Sequence, residues 1–432
     1  MPQNKQRNAK RRINEQSKNK KSEPSVKKAS VPEQEKIRVD GEIKRRENKY
    51  YRSLSERYRI AGFVFFLLFV VFCGVMMIRH SEYITYDNFV YLIRDFDNMG
   101  QGDGASVDEM SIELSDSSAI RPFRGGFAVA DNDKVTVYDS TGVVLLSETE
   151  RFSYPSLAVS DKYLIAYDIG GESYSIYNSI TRIVSKKTEF PIVCASVCDN
   201  GSFIIVTESD QAKYVIEVYN TALQNIMNIY KDKYVTSASI SSDGQWIIAS
   251  SLSESGADFA AELSFYKVGE SSAQRTLYYS MAMPLLTENL DGGNFMLLCD
   301  DAIRFYTPSG ELLSETSVGD CGLAGFDAEG CGVMLVCREN SIGTQNRVYT
   351  FDTEGNIIYN SSIGSRVTGM SVSQKDSGLA GYIINGDTVY SLGTENSSSD
   401  TFEGEVSCII ETSSGAYAYI TGKAVRIENA ED

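Results

Sequence analysis

The sequence predicts an all-β chain: eight four-stranded units closed into a ring, with seven as the alternative count, behind one helix that crosses a membrane. Three observations predict it. Near the N-terminus runs a single uninterrupted apolar stretch, "IAGFVFFLLFVVFCGVMMI". Beyond it, a short polar turn entering an apolar strand recurs about every 40 residues. Ahead of the first repeat lies an alternating segment, "EMSIELS", while the last repeat is one strand short.

In chain order, residues 1–40 are rich in Lys, Gln, Asn, Ser and Glu and nearly free of large apolar side chains. Such a stretch cannot bury enough surface to offset the entropy of ordering, so a disordered basic tail is expected. Over 41–59, Ile43, Tyr50, Leu54 and Tyr58 are interleaved with bases, which predicts an amphipathic helix beside the membrane. Its bases suit anionic lipid headgroups, at about 1 kcal/mol each near the surface. Residues 60–78 carry no charge; as a helix they reach roughly 28 Å, about the thickness of a bilayer's hydrocarbon core. Fifty-nine residues precede this run, which argues against a cleaved signal peptide, whose basic lead is short.

Charge is divided across that run. Met1–Arg59 holds 19 basic and 8 acidic residues, whereas Arg79 onward holds 22 basic and 50 acidic. The bases of "KRRENKYYRSLSERYR" abut the span, so the N-terminus is expected in the cytoplasm and the large acidic part outside, in the cell envelope of a bacterial source. A net charge of −28 on that part disfavours nucleic acid, whose phosphates need a basic surface.

After the span, Tyr83, Tyr86, Phe89, Val90, Ile93 and Phe96 recur at three- and four-residue steps. They predict a connector helix within 79–99 whose apolar face packs on the outer domain or on a second copy, making a homo-oligomer. A linker follows over 100–107. Asp95, Asp97 and Gly100 resemble the opening of a calcium-binding EF-hand loop, but Met99 occupies a ligand position and Ser106 stands where the loop needs glutamate. No metal site is assigned.

From 108 to the C-terminus the repeats take over. "VSDKYLIAYD", "CDNGSFIIVT", "SSDGQWIIAS" and "LDGGNFMLLC" are four of eight such phrases, each followed by a second strand ending in an aromatic and a turn. The anchoring aromatics Tyr138, Tyr177, Tyr219, Tyr266, Tyr306, Phe351 and Tyr390 lie 39, 42, 47, 40, 45 and 39 residues apart. A period near 40 with four short strands per unit is the pattern of β-propeller blades. Trp246, the only tryptophan, sits in one of these phrases and is expected to pack between blades. The last unit supplies "VSCIIE", "AYAYIT" and "AVRIE", three strands. Met110, Ile112 and Leu114 alternate with polar residues, so 109–115 is expected to close the ring as the missing strand.

With its Ser-x-Asp-Gly turns, this region resembles the β-propeller superfamily, WD40-like and quinoprotein-like chains broadly. It also resembles uncharacterised single-pass membrane proteins of Gram-positive bacteria with a propeller outer domain. No Trp-Asp dipeptide ends any blade, and the tryptophan docking motif of quinone-cofactor dehydrogenases is missing. The resemblance therefore implies a fold, with no cofactor and no catalytic residue to carry over.

The single histidine is His80, beside the membrane, so the propeller lacks the base of a Ser-His-Asp site and the imidazoles of common zinc sites. Acids are plentiful, but Asp139, Asp243 and Asp352 fall in turns, where carboxylates bond local backbone. Seven cysteines follow the span; Cys321 and Cys337 flank a hairpin and are the candidate disulfide, provided its loop has odd length. Three functions are compatible with these residues. The first is a membrane-anchored, non-catalytic binding or scaffold module for an envelope protein, peptide or glycan. The second is an envelope hydrolase using a carboxylate pair in the channel, and the third a sensor relaying to the basic tail.

Overall fold

The structure is a computed structural model describing residues 33–79, 110–115, 117–255, 258–375, 378–392, 397–413, 415–422 and 424–429. It divides into two units, Met1–Ser81 and Glu82–Asp432.

The first unit is one helix, Glu33–Arg79. The amphipathic stretch and the apolar run are thus a single uninterrupted element, and it starts within the tail expected to be disordered, at Glu33. The sequence explains the early start. Pro32 suits a helix entrance, and from Glu33 to Arg59 Gln, Glu, Lys and Arg predominate with Gly41 the sole glycine, leaving nothing to stop propagation. Arg52 and Glu56 pair one turn apart at 3.6 Å. Within the helix, Arg52–Val75 has a mean hydropathy of 2.3 and is long and apolar enough to cross a membrane. Its side chains from Phe63 to Phe72 are exposed. Residues 1–32, and beyond Arg79 the expected connector helix, linker, His80 and Asp95–Ser106 loop, lie outside the described residues.

The second unit is an eight-bladed β-propeller, each blade a four-stranded antiparallel sheet. In the first blade the strands are Ala119–Phe123, Gly126–Ala130, Lys134–Tyr138 and Val144–Thr149. Blades two to seven follow over 155–187, 192–231, 234–280, 284–317, 323–363 and 369–401. The eighth combines Val406–Glu411, Ala416–Thr421 and Ala424–Asn429 with Met110–Glu113, which pairs antiparallel to Ala424–Asn429, Met110 opposite Ile427 and Ile112 opposite Val425. One sheet therefore joins strands from opposite ends of the propeller sequence.

First strands of successive blades pack on one another and line the channel, while fourth strands form the rim. Second and third strands are covered on both faces by neighbouring blades, so Gly126–Ala130, Leu164–Asp168, Phe295–Cys299 and Ala302–Tyr306 are buried throughout. That double coverage is why they read as continuous apolar runs rather than alternating ones. Each Leu, Ile or Phe so buried contributes roughly 1.5–3 kcal/mol. Of the anchoring aromatics, Tyr138, Tyr177, Tyr266, Tyr306 and Phe351 are buried. Trp246 packs against the cluster of Ile248, Leu263, Phe265 and Phe295 between the fourth and fifth blades.

Because strand direction alternates, the turns joining first to second and third to fourth strands share one face, here the turn face. Links between blades and the hairpins joining second to third strands share the other, the link face. On the turn face the aromatic is followed by a side chain that closes the turn. Asp139 Oδ1 accepts the N–H groups of Thr141 and Val143, Asn220 Oδ1 those of Ala222 and Gln224, and Asp352 Oδ1 those of Glu354 and Asn356. In "SSDGQW", Ser241 Oγ donates to Asp243 at 2.6 Å and accepts from the Trp246 N–H. Gly244 takes φ +70° there, which glycine adopts without strain.

Candidate functional site

Two regions bring side chains together in ways the repeat does not require. The first is the channel. Arg121, on the first strand of blade one, reaches Asp327 and Glu329 of blade six, both at 3.5 Å. These blades are not neighbours in the ring, so the ion pair crosses the channel. Asp327 also accepts the backbone N–H of Val372 in blade seven at 2.8 Å. Burial opposes the charge on Arg121, yet Glu329, Asp327 and Glu288 outweigh it and raise the guanidinium's pKa. The acids fare differently. Burial pushes the Glu288 carboxyl up to about 7, Arg121 pulling it down and Asp327 pushing further up. Burial likewise raises Asp327 and Glu329 against the pull of Arg121, and Asp327 and Glu288 push Glu329 further up. Three carboxyls around one guanidinium cannot all ionise cheaply.

The second region is a ridge on the link face of blades three to five. In blade four, Trp246–Ser255 and Asp258–Lys267 are ten residues each, whereas other strands have four to eight. First-strand pairing stops at Tyr234 opposite Leu252, so the hairpin projects beyond the sheet. At its foot Met281 donates its N–H to the Phe259 carbonyl at 2.9 Å and holds φ +57°, a left-handed conformation costly for a side chain of its size. Phe259, Tyr278, Met281, Met283 and Tyr234 are all exposed, Met281 at 65%. Tyr214 packs edge-on to Tyr234 at 6.3 Å, Lys213 lies 4.0 Å over the Tyr234 ring, and Lys233 lies 5.3 Å over that of Tyr278.

Beneath the ridge, blade three is tied to blade four by buried charge. Lys231 Nζ donates to Glu262 Oε1 at 2.7 Å, to Ser264 Oγ and to Tyr266 Oη at 3.2 Å each, and Lys233 pairs with the other Glu262 oxygen. Burial would raise the Glu262 pKa, but hydrogen bonds from Lys231 and Lys233 overcome it and hold the carboxyl at about 2. The triad fixes Lys233 and, through it, the ring of Tyr278.

The two cysteines expected to bridge are not brought together. The register sets Leu323, not Cys321, opposite Cys337, because the hairpin turns through the two residues Gly330 and Cys331, an even loop with Glu329 opposite Gly332. Both thiols are free, Cys321 exposed and Cys337 buried. The turn acids Asp139, Asp243 and Asp352 are occupied by their own turns. Among the described residues no group of His, Cys, Asp and Glu is arranged to hold a metal ion. Sequence reasoning missed the ridge and the channel strut. The one trace of the long hairpin was the 47-residue interval between Tyr219 and Tyr266, the widest in the series.

A family model described as a family of unknown function (DUF5711) matches residues 104–428. No curated protein matches. Among solved structures, BamB from Moraxella catarrhalis is similar with a TM-score of 0.50 and 10% identity, covering 74% of this chain and 98% of its own. The β-propeller domain of Cps50 (Swd1) from Myceliophteria thermophila gives 0.46 and 11%, covering 74% and 98%. At such identities the likeness to BamB is one of fold.

Proposed function

This chain belongs to DUF5711, a family of unknown function, and from that premise we propose that it is a membrane-anchored, non-catalytic binding module. Its propeller stands outside the cytoplasm and its ridge holds an extended apolar segment of another envelope protein. The observation that carries this reading is the ridge: exposed aromatic rings and methionines, set on a strained link and stiffened from below by an ion triad whose Lys231 and Glu262 are buried. Tyrosine offers large contact area at small entropic cost, and methionine adapts to irregular partners. Rigid support lowers the cost of binding further.

The test is photo-crosslinking in the native membrane of the full-length chain. A crosslinker at 259 or 278 should give a discrete adduct that Met281→Asp abolishes, while one at 358, exposed on a fourth strand near the turn face, should give none. Equal capture from both faces, or an adduct indifferent to Met281→Asp, would remove the ridge from consideration. Orientation is tested separately. Cys321 is exposed, whereas burial pushes the Cys194, Cys299, Cys331 and Cys408 thiols up to about 12, leaving little thiolate. An impermeant maleimide should label intact cells at Cys321 and lose that label in Cys321→Ser; labelling only after lysis would put the propeller in the cytosol.

A second reading, a hydrolase using a channel carboxylate pair, has one observation behind it: Glu288 and Glu329 are held toward their protonated forms beside Arg121. Arg121 already pairs with Asp327 and Glu329, which is why the binding reading is preferred.

A further inference from the structure

We propose that the cleft between the first and second blades binds a small phosphate-bearing molecule. It is a groove at the outer rim, open to solvent, with a volume of ≈ 660 Å³, within the range of small-molecule sites. Arg151, Arg182 and Lys187 line it together with Ser173 and Ser185, which share a face with Ser175, while Lys186, opposite Tyr174, lies on the other face of the sheet. Three cations in one cleft stand out in a region whose net charge is −28.

Their pairing shows which of them are available. Glu150 forms the floor, accepting from Ser175 Oγ at 2.5 Å, Tyr177 Oη at 2.6 Å and Arg182 Nη1 at 3.1 Å. Glu148 takes the other arm of Arg182 at 3.5 Å. The Arg182 charge is therefore neutralised and its fork fixed. Among the described residues, Arg151 and Lys187 have no carboxylate within 4.0 Å. Two uncompensated cations beside two serines make an anion site.

Donor geometry selects the anion. A planar carboxylate is best met by an open guanidinium fork, and here the better-buttressed fork is already filled by protein carboxylates. Lysine ammonium groups are compact point charges that suit the several oxygens of a phosphate, and the serine hydroxyls supply further donors. Size follows from the surroundings. A long polyanion would run beyond the cleft onto acidic surface and be repelled, whereas one or two phosphates would feel only the local bases.

The experiment is calorimetric titration of the full-length chain in phosphatidylcholine nanodiscs with glycerol 3-phosphate and inorganic phosphate, with acetate and glycerol as controls. Binding is expected for the two phosphate probes and not for acetate. Lys187→Gln, and independently Arg151→Gln on the other blade, should each weaken it about tenfold, about 1.4 kcal/mol, with the melting temperature unchanged. Repeating the titration in phosphatidylglycerol discs separates two sources of the same chemistry. Loss of glycerol 3-phosphate binding there assigns the cleft to a lipid headgroup, and retention assigns it to a soluble ester. Absence of binding, equal binding of acetate, tighter binding of a long polyphosphate, or indifference to both variants would overturn the proposal.

Discussion

The two faces of this propeller are built from the same repeat and have diverged in opposite directions. On the turn face, Asp139, Asn220, Asp243 and Asp352 spend their oxygens on their own backbone, blade after blade. On the link face of blades three to five the connections differ in length, expose Tyr234, Phe259, Tyr278 and Met281, and conceal a charged triad. The first face is architecture, made of interchangeable parts. The second is where substitution has specific consequences. Function on a repeat scaffold is sought where one unit departs from the others.

The contrast can be broken by experiment, beginning with the largest effect. Glu262→Ala should lower stability by about 3–5 kcal/mol, since it leaves Lys231 buried without its counter-charge. Chemical denaturation of the full-length chain measures this, and a loss below 1 kcal/mol would mean that the link face has no such keystone. The pH dependence comes next. Glu262 titrates below its unfolded value, so its contribution, about 3 kcal/mol at neutral pH, is present above about pH 4.5 and lost as pH falls toward 2. Glu288 has the opposite sign. Its folded pKa is raised, so its contribution is complete below about pH 4.5 and is lost as pH rises through 7, a slope that Glu288→Gln should flatten. On the turn face, Asp352→Ala and Asp139→Ala should each cost about 1 kcal/mol, and by similar amounts, because each removes one turn closure. A several-fold disparity between them would show that the turns are not interchangeable. Smallest in stability, within about 0.5 kcal/mol, should be Tyr278→Ala, an exposed ring whose loss is expected to register in crosslinking instead.

How much of this was legible in the sequence follows the same division. The anchoring aromatics and their turns could be read because each blade repeats them. The closing strand could be read because one covered face, where Ile112 and Leu114 pack, imposes alternation on it. The helix boundary at Glu33 was harder, since polar helix formers resemble a disordered tail until they are joined to an apolar stretch. The Cys321–Cys337 proximity depended on an odd hairpin loop, and the chain turns through two residues, Gly330 and Cys331, instead. Arg121 and Glu329 lie more than 200 positions apart, on blades that are not neighbours in the ring, so no local pattern could pair them. Exposed side chains on irregular links carry no periodicity either, which left the ridge silent.

The sheet shared by Met110–Glu113 and Ala424–Asn429 has a consequence for biosynthesis. The strand that locks the ring emerges from the ribosome before any blade, and its partner emerges after every other strand of the propeller. Until that last pairing the nascent chain is an open arc with an unpaired sheet edge, vulnerable to self-association. Translational stalling anywhere before codon 424 should therefore yield protease-sensitive chains, however many complete blades they contain.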